Sequence, residues 1–280
     1  MLNDSLVTSL ERRTETLQRT TSDLRDQLEV ALQRAAQTQR FAADVQPFVL
    51  PDRLPDQPVV IVTVEGVEGG ALDQAAAALD LAGARTIATI TVQPEIVPDG
   101  GSDAQELAKV LGLPADTSPG DLMSAAADAL AGRLAATATR AGAGDDLLGQ
   151  LLNGGFVVAP GLSDADLAEV GGPGQAIVVV GGVSAASQPA TQGLLTPLVG
   201  GLIDLQMTTV AAEGSDPTST FLSSTADAVG SAALVTVDGL DQAVGGNALV
   251  LGIAQALGTG EGGAFGLGDQ ASQPLPPPPA

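Results

Sequence analysis

Two glycine-bearing loops and two acidic clusters are the places in this 280-residue sequence where side chains could do chemistry. Gly181-Gly182-Val183-Ser184 follows the apolar run Ala176 to Val180, so it presents backbone amides and a hydroxyl at the end of a strand. Gly181, Gly182 and Ser184 are the candidate small-ligand loop, with plain tight-turn geometry as the competing explanation. The stretch Glu65-Gly66-Val67-Glu68-Gly69-Gly70 falls where a nucleotide-binding fold holds phosphate. It is not a G-x-G-x-x-G, and its two carboxylates would repel an anion, so its glycines are read as a strand-to-helix turn. Asp145/Asp146 and Asp164/Asp166/Glu169 offer oxygen to hard cations. Neither has the spacing of a calcium loop, and both fit helix starts on a solvated surface. The residues therefore point to no catalytic group, no metal site and no cofactor.

The residue types that are missing exclude more than those present propose. There is no Cys, His, Trp or Tyr, and Lys109 is the single lysine. A thiolate nucleophile, a Ser-His-Asp relay, a zinc finger and a histidine base are all ruled out. A formal net charge of -22 leaves too few cations to neutralise phosphates, so nucleic acid is not an expected partner. The charge is uneven. Residues 1–53 hold seven Arg and eight acids, and no Lys or Arg follows Arg140. Acid excess of this kind suits either high salt or an exported domain, and the two are compatible.

The elements that must position these loops begin with a seven-residue rhythm. With Val7 as an a position, the a series is Val7, Thr14, Thr21, Leu28, Ala35 and the d series is Leu10, Leu17, Leu24, Ala31, Thr38. Val7, Leu10, Leu17, Leu24 and Leu28 are the expected core of a coiled-coil helix over residues 1–46, roughly 55–60 Å long. The threonines at a weaken the seam. The flanking pairs Arg13 with Gln18 and Thr20 with Arg25 carry no clean charge pairing, so the number of chains and their direction stay open. A solitary helix packed on its own domain is the alternative.

Pro47, Pro51, Pro55 and Pro58 mark residues 47–58 as a linker at which the helix should end. Pro58 opens the β-branched run Val59 to Val64, which suits a strand buried on both faces. A helix over 71–81 and a strand over 86–92 complete a right-handed parallel unit. Further helices are expected at 102–111, from a Ser118-Pro119 cap to about 139, at 145–152, at 192–206 and at 247–257. Further strands are expected at 156–159, 176–180, 207–212 and 232–237. The alternation predicts an α/β domain over residues 59–268, a doubly wound, Rossmann- or flavodoxin-like, mostly parallel sheet. Residues 269–280 form a Pro-rich tail expected to be disordered and outside the core. No apolar run reaches the ~20 residues of a membrane span, and no signal peptide precedes the helix, so the chain as written is expected to be soluble.

The order of elements also carries a resemblance. Leu2-Asn3-Asp4-Ser5-Leu6 leads into the heptads, and Pro58-Val59-Val60-Ile61-Val62 opens the sheet. Val235-Thr236-Val237-Asp238, Gly246-Asn247-Ala248-Leu249-Val250-Leu251 and Gly263-Ala264-Phe265-Gly266 precede the Pro-ending tail. In these segments the chain resembles the actinobacterial copper transporter family. The resemblance implies an N-terminal membrane helix upstream of Met1, then a coiled coil and an extracytoplasmic α/β domain in the cell envelope. It also implies a role in copper homeostasis, with a proposed pore. Phe265 stands where that family's terminal motif has a tyrosine.

The residues limit that implication. Cu(I) prefers thiolate and thioether and Cu(II) prefers imidazole, whereas this chain offers only Met1, Met123 and Met207, far apart in sequence. Copper should therefore be handled by conduction, weak carboxylate attraction or indirectly. The expected protein is non-enzymatic, self-associated through its coiled coil and held to a membrane through a helix outside residues 1–280. The alternatives are a cytosolic coiled-coil scaffold or ligand-sensing domain without a metal role, and, third, a carboxylate hydrolase acting through two facing acids in a deep pocket.

Overall fold

The computed structural model describes residues 2–67, 69–98, 100–136, 146–163, 166–181, 190–216, 218–230, 232–268 and 270–277. The chain divides into two compact units, Met1–Asp44 and Val45–Ala280. Helix α1, Leu2–Val49, supplies all of the described first unit. No glycine interrupts it, and Thr38 Oγ1 donates back to the Arg34 carbonyl at 3.0 Å. Leu17, Leu24 and Leu28 are 67%, 59% and 59% exposed. The side chains of Val7 and Leu10 lie outside the described residues.

The expected stop at Pro47 does not occur. Proline removes one amide from the last turn, but the turn still closes because the Leu50 amide donates to the Gln46 carbonyl at 3.0 Å. Leu50 and Leu54, from the segment read as linker, are buried in the core of the second unit.

That unit is built on a seven-stranded sheet: β1 Pro58–Val64, β2 Arg85–Val92, β3 Val157–Val158, β4 Ala176–Val180, β5 Thr208–Ala212, β6 Val235–Val237 and β7 Gly263–Phe265. The order across the sheet is β3-β2-β1-β4-β5-β6-β7, parallel throughout except for β3 against β2. Its direction of growth reverses between β1 and β4, which pair Val59 with Ala176 through Thr63 with Val180.

The helices are α2 Gly69–Leu81, α3 Ser102–Val110, α4 Pro119–Ala135, α5 Leu147–Asn153, α6 Thr196–Asp204, α7 Phe221–Val229 and α8 Ala243–Thr259. A π-helical turn, Thr191–Leu195, leads into α6, where Pro197 lacks an amide to continue a regular ladder. Alternation along the strands builds two cores. Val59, Ile61, Val178 and Val210 pack under α2 and α8 on the first face. Val60, Val62, Ile177 and Val179 pack under α3 to α7 on the second. β1 and β4 are thus buried on both faces, as unbroken Val/Ile runs require.

The connection β5-α7-β6 crosses the second face. The next, β6-α8-β7, steps the same way across the sheet but over the first face, so the two have opposite hands. The second face of β6 and β7 keeps an open recess of about 390 Å³ lined by Ala226, Gly230, Leu234, Thr236, Gly263 and Ala264 among others. The described part of the tail is tied down at residues 272–274. Gln273 bridges to Phe265, and Ser272 donates its amide to the Ala264 carbonyl at 3.0 Å.

Candidate functional site

The carboxyl ends of the parallel strands gather the polar residues of the second unit. β5 continues into Glu213, whose amide still donates to the Val237 carbonyl at 3.0 Å while its own carbonyl accepts from the Leu240 amide at 2.9 Å. Alternation turns Ala212 to the first face, so the Glu213 side chain goes to the second, beneath α7. There its carboxylate accepts from Ser219 Oγ at 2.5 Å and from the Leu222 amide at 3.2 Å, satisfying a free donor at the start of α7. Only 4% of Glu213 is exposed. Burial pushes its carboxyl above the ordinary range, and the negative charge of Asp238 adds to that, although the bonds from Ser219 and Leu222 oppose both.

Asp238 follows β6 and points to the same face, because Val237 packs on the first. Its amide donates to the Phe265 carbonyl at 2.9 Å. The segment after β7 closes over it so tightly that a Cβ at Gly268 would fall 1.8 Å from Asp238 Oδ2. Asp241, at the next turn, accepts from Ser215 twice, from the amide and from Oγ, each at 2.7 Å. The start of α2 reaches the same edge, since a Cβ at Gly70 would touch Asp241 at 4.0 Å. Asp216 makes its own turn with Thr218, whose hydroxyl first and amide second hold the Asp216 carboxyl below the ordinary value.

This edge is an acidic rim of fixed carboxylates and hydroxyls. Glu213 and Asp238 are neighbouring acids, the pair a carboxylate hydrolase would need, but the first is spent on α7 and the second is pressed by Gly268. Among the described residues no three His, Cys, Asp or Glu side chains converge to hold a metal ion. Met123 and Met207 are mostly buried in the second-face core, at 8% and 7% exposed. The donor set does not fit a resident copper ion.

The loops singled out in the sequence are distributed differently. Gly181 is buried at the end of β4, with its amide on the Ala212 carbonyl at 2.8 Å. A Cβ there would lie 2.2 Å from Phe221 Cδ1, so the first ring of α7 occupies the space immediately beside it. Gly182 and Ser184 lie outside the described residues. Glu65 is exposed and Gly66 turns the chain with φ at 87° before α2, while Glu68 lies outside the described residues.

The described acids of the two clusters are committed to structure. Asp146 caps α5 through the Gly149 amide at 3.2 Å and pairs with Arg133. Asp166 accepts from the Ser163 hydroxyl and amide, which hold its carboxyl below the ordinary value. Glu169 pairs with Arg85 at 2.8 Å on the surface. Asp145 and Asp164 lie outside the described residues.

Asp238 closes the family-like segment Val235-Thr236-Val237-Asp238 without being marked there as a site, and Glu213 and Asp241 carry no motif in the sequence. Their only signal is position, each standing one to four residues beyond an apolar β-branched run.

Among the described residues no helix is long and apolar enough to cross a membrane. No curated protein matches the chain. The family model described as "Copper transport outer membrane protein, MctB" matches residues 1–276.

Proposed function

The chain belongs to the MctB family of copper transport outer membrane proteins, and from that premise we propose that it is a non-enzymatic module of copper homeostasis, anchored to the cell envelope and working on its extracytoplasmic side. The family match over nearly the whole chain carries this reading. Copper is the cargo and not a resident ligand, because no thiol or imidazole exists in the sequence and two of three methionines are packed in the core. Asp216 and Asp241, the half-buried acids of this edge, serve with the rest of the acidic surface as a diffuse attractor of cations, whose affinity comes from summed charge and falls with salt.

We read the sheet as Rossmann-like on two grounds, the strand order running outward from β1 and β4 and helices on both faces. That order favours a second reading. The reversal between β1 and β4 is where open α/β sheets take ligands, and Gly181 ends β4 there. A small ligand without phosphate at residues 181–184 would make the domain a sensor.

Two measurements test the first reading. Loss of the gene should raise intracellular copper and copper sensitivity, restored by the intact chain, and unchanged copper content would refute the copper role. Calorimetric titration of the chain with Cu(I) and Cu(II) should give only weak, salt-sensitive heats. Saturable one-to-one binding at micromolar affinity or tighter would refute the cargo-only assignment while leaving the cellular role intact.

A further inference from the structure

We propose that residues 266–274 form a strap that stays closed over Asp238 while the neighbouring carboxyls of Glu213 and Asp238 hold a proton between them, and that lifts when the proton is lost.

The pair is set by register. Ala212 of β5 lies beside Val237 of β6, so the next residues, Glu213 and Asp238, stand side by side toward the second face, about 4.8 Å apart along the sheet. They are 4% and 7% exposed. Two carboxylates so close and so dry do not both ionise without a cation beside them. The elements β4 to β7, α7 and the strap supply none, because no Lys or Arg follows Arg140. Arg85 and Arg133 are engaged with Glu169 and Asp146. From the start of α7, Ser219 Oγ and the Leu222 amide face Glu213 as donors, while Asp227 of that helix is exposed. The other acids of the edge turn to their own partners, Asp216 to Thr218 and Asp241 to Ser215. β4 ends there in Gly181, and Asp269 of the strap lies outside the described residues. Burial first, and then the charge of Asp238, favour the protonated form of Glu213.

The strap touches the pair with its backbone. Gly266 has φ at 128°, and a Cβ there would lie 2.3 Å from the Asp238 carbonyl oxygen. A Cβ at Gly268 would lie 1.8 Å from Asp238 Oδ2, so glycine at 268 lets the chain press on the carboxyl itself. Elsewhere the strap is held lightly. The Gly266 amide donates to the Gln273 and Pro274 carbonyls at 3.2 Å each, and the Ser272 amide and hydroxyl donate to the Ala264 carbonyl at 3.0 and 2.9 Å. Leu267 is 47% exposed, and Gly268, Gln270, Ser272 and Gln273 are exposed too. Segments fixed by a few exposed hydrogen bonds open locally at low cost. By contrast, Phe221 locks α7 into the second-face core and Phe265 locks β7 into the first. A second negative charge in the pair needs water, and the strap is the cover that yields. If lifting it lowers the proton affinity of the pair by one pKa unit, loss of the proton shifts the closing equilibrium about tenfold toward open.

Spin labels test this in the full chain, which has no Cys of its own. Leu267→Cys on the strap and Ala76→Cys on an exposed position of α2 give one label pair. Between about pH 4 and about pH 9 the distance should pass from one narrow population to a longer, broader one. Amide exchange at Ser272 and Gln273, corrected for its intrinsic pH dependence, should rise about tenfold over the same range. Exchange in β1 and β4 should not change, which separates a lifted strap from a lost fold. Glu213→Gln and, independently, Asp238→Asn should each abolish the transition, whereas Asp216→Asn should leave it where it was. Salt should hardly move its midpoint, because the pair is buried. A distance that does not respond to pH would overturn the proposal. So would a transition that persists in a folded Glu213→Gln or Asp238→Asn chain, or one that salt abolishes, which would belong to repulsion across the acidic surface.

Discussion

Arg133 Nε lies 2.5 Å from Asp146 Oδ1, with both side chains about nine-tenths buried. The same guanidinium donates to the carbonyls of Val170 and Leu167 at 2.6 and 2.9 Å. One of the chain's few cations is therefore spent joining the end of α4, the cap of α5 and the turn before β4.

Removing one partner should cost far more than removing both. Asp146→Ala leaves a buried guanidinium without its counter-charge and α5 without its cap, a loss of about 3–5 kcal/mol. Arg133→Met alone strands the carboxylate at similar cost. The double variant Arg133→Met, Asp146→Asn, which keeps a capping oxygen, should recover much of the loss. Urea midpoints of the four proteins check this, and additive losses would show that the two side chains are not coupled.

Glu213 makes stability fall as pH rises. Its carboxyl sits above the ordinary value near 4.5, so between that value and its raised one the folded chain holds a proton that the unfolded chain has released. Stability present below the window is then lost on crossing it. Glu213→Gln stays neutral and keeps an acceptor for Ser219 and Leu222, so its stability relative to the parent should rise with pH from about 4.5 upward. Asp166 and Asp216, held below 3.8, act oppositely and only on the acid side of that window. Thermal melting of both proteins from pH 4 to 8 measures the difference, and parallel curves would remove Glu213 as its source.

What the sequence revealed of this fold follows burial. β1 and β4 are unbroken Val/Ile runs because both faces are covered, and no other element reads that way. The first turn of α7 is Phe221-Leu222-Ser223-Ser224, whose serines favour caps over helix interiors, so local propensity hides it. β7 is three residues with a leading glycine and exists only because β6 is beside it. Helix α8 begins four residues before the expected start. Gly245 and Gly246, which look like breakers, are there because a Cβ at Gly245 would strike the Gly239 carbonyl. The acidic rim was invisible for a different reason. Glu213 and Asp238 are 25 positions apart, and only the adjacency of β5 and β6 brings them to one edge.

Gly181 and Phe221 show how closely that edge is packed, and they give the last test. A methyl group at position 181 would fall 2.2 Å from Phe221 Cδ1, 2.3 Å from its Cγ and 2.6 Å from its Cβ. The ring is fully buried in the second-face core and cannot swing out, and α7, which it begins, is also the helix Glu213 caps. Gly181→Ala should therefore destabilise by about 1–3 kcal/mol through overpacking. Phe221→Ala should cost about 3–5 kcal/mol on its own through the cavity it leaves. Combined, the two should lose less than their sum, because the added methyl enters space the ring has vacated. Chemical denaturation of the two single variants and the double one reads this coupling directly. Strict additivity would mean that the strand end relaxes away from the ring, and that the space beside β4 is open enough to admit a ligand.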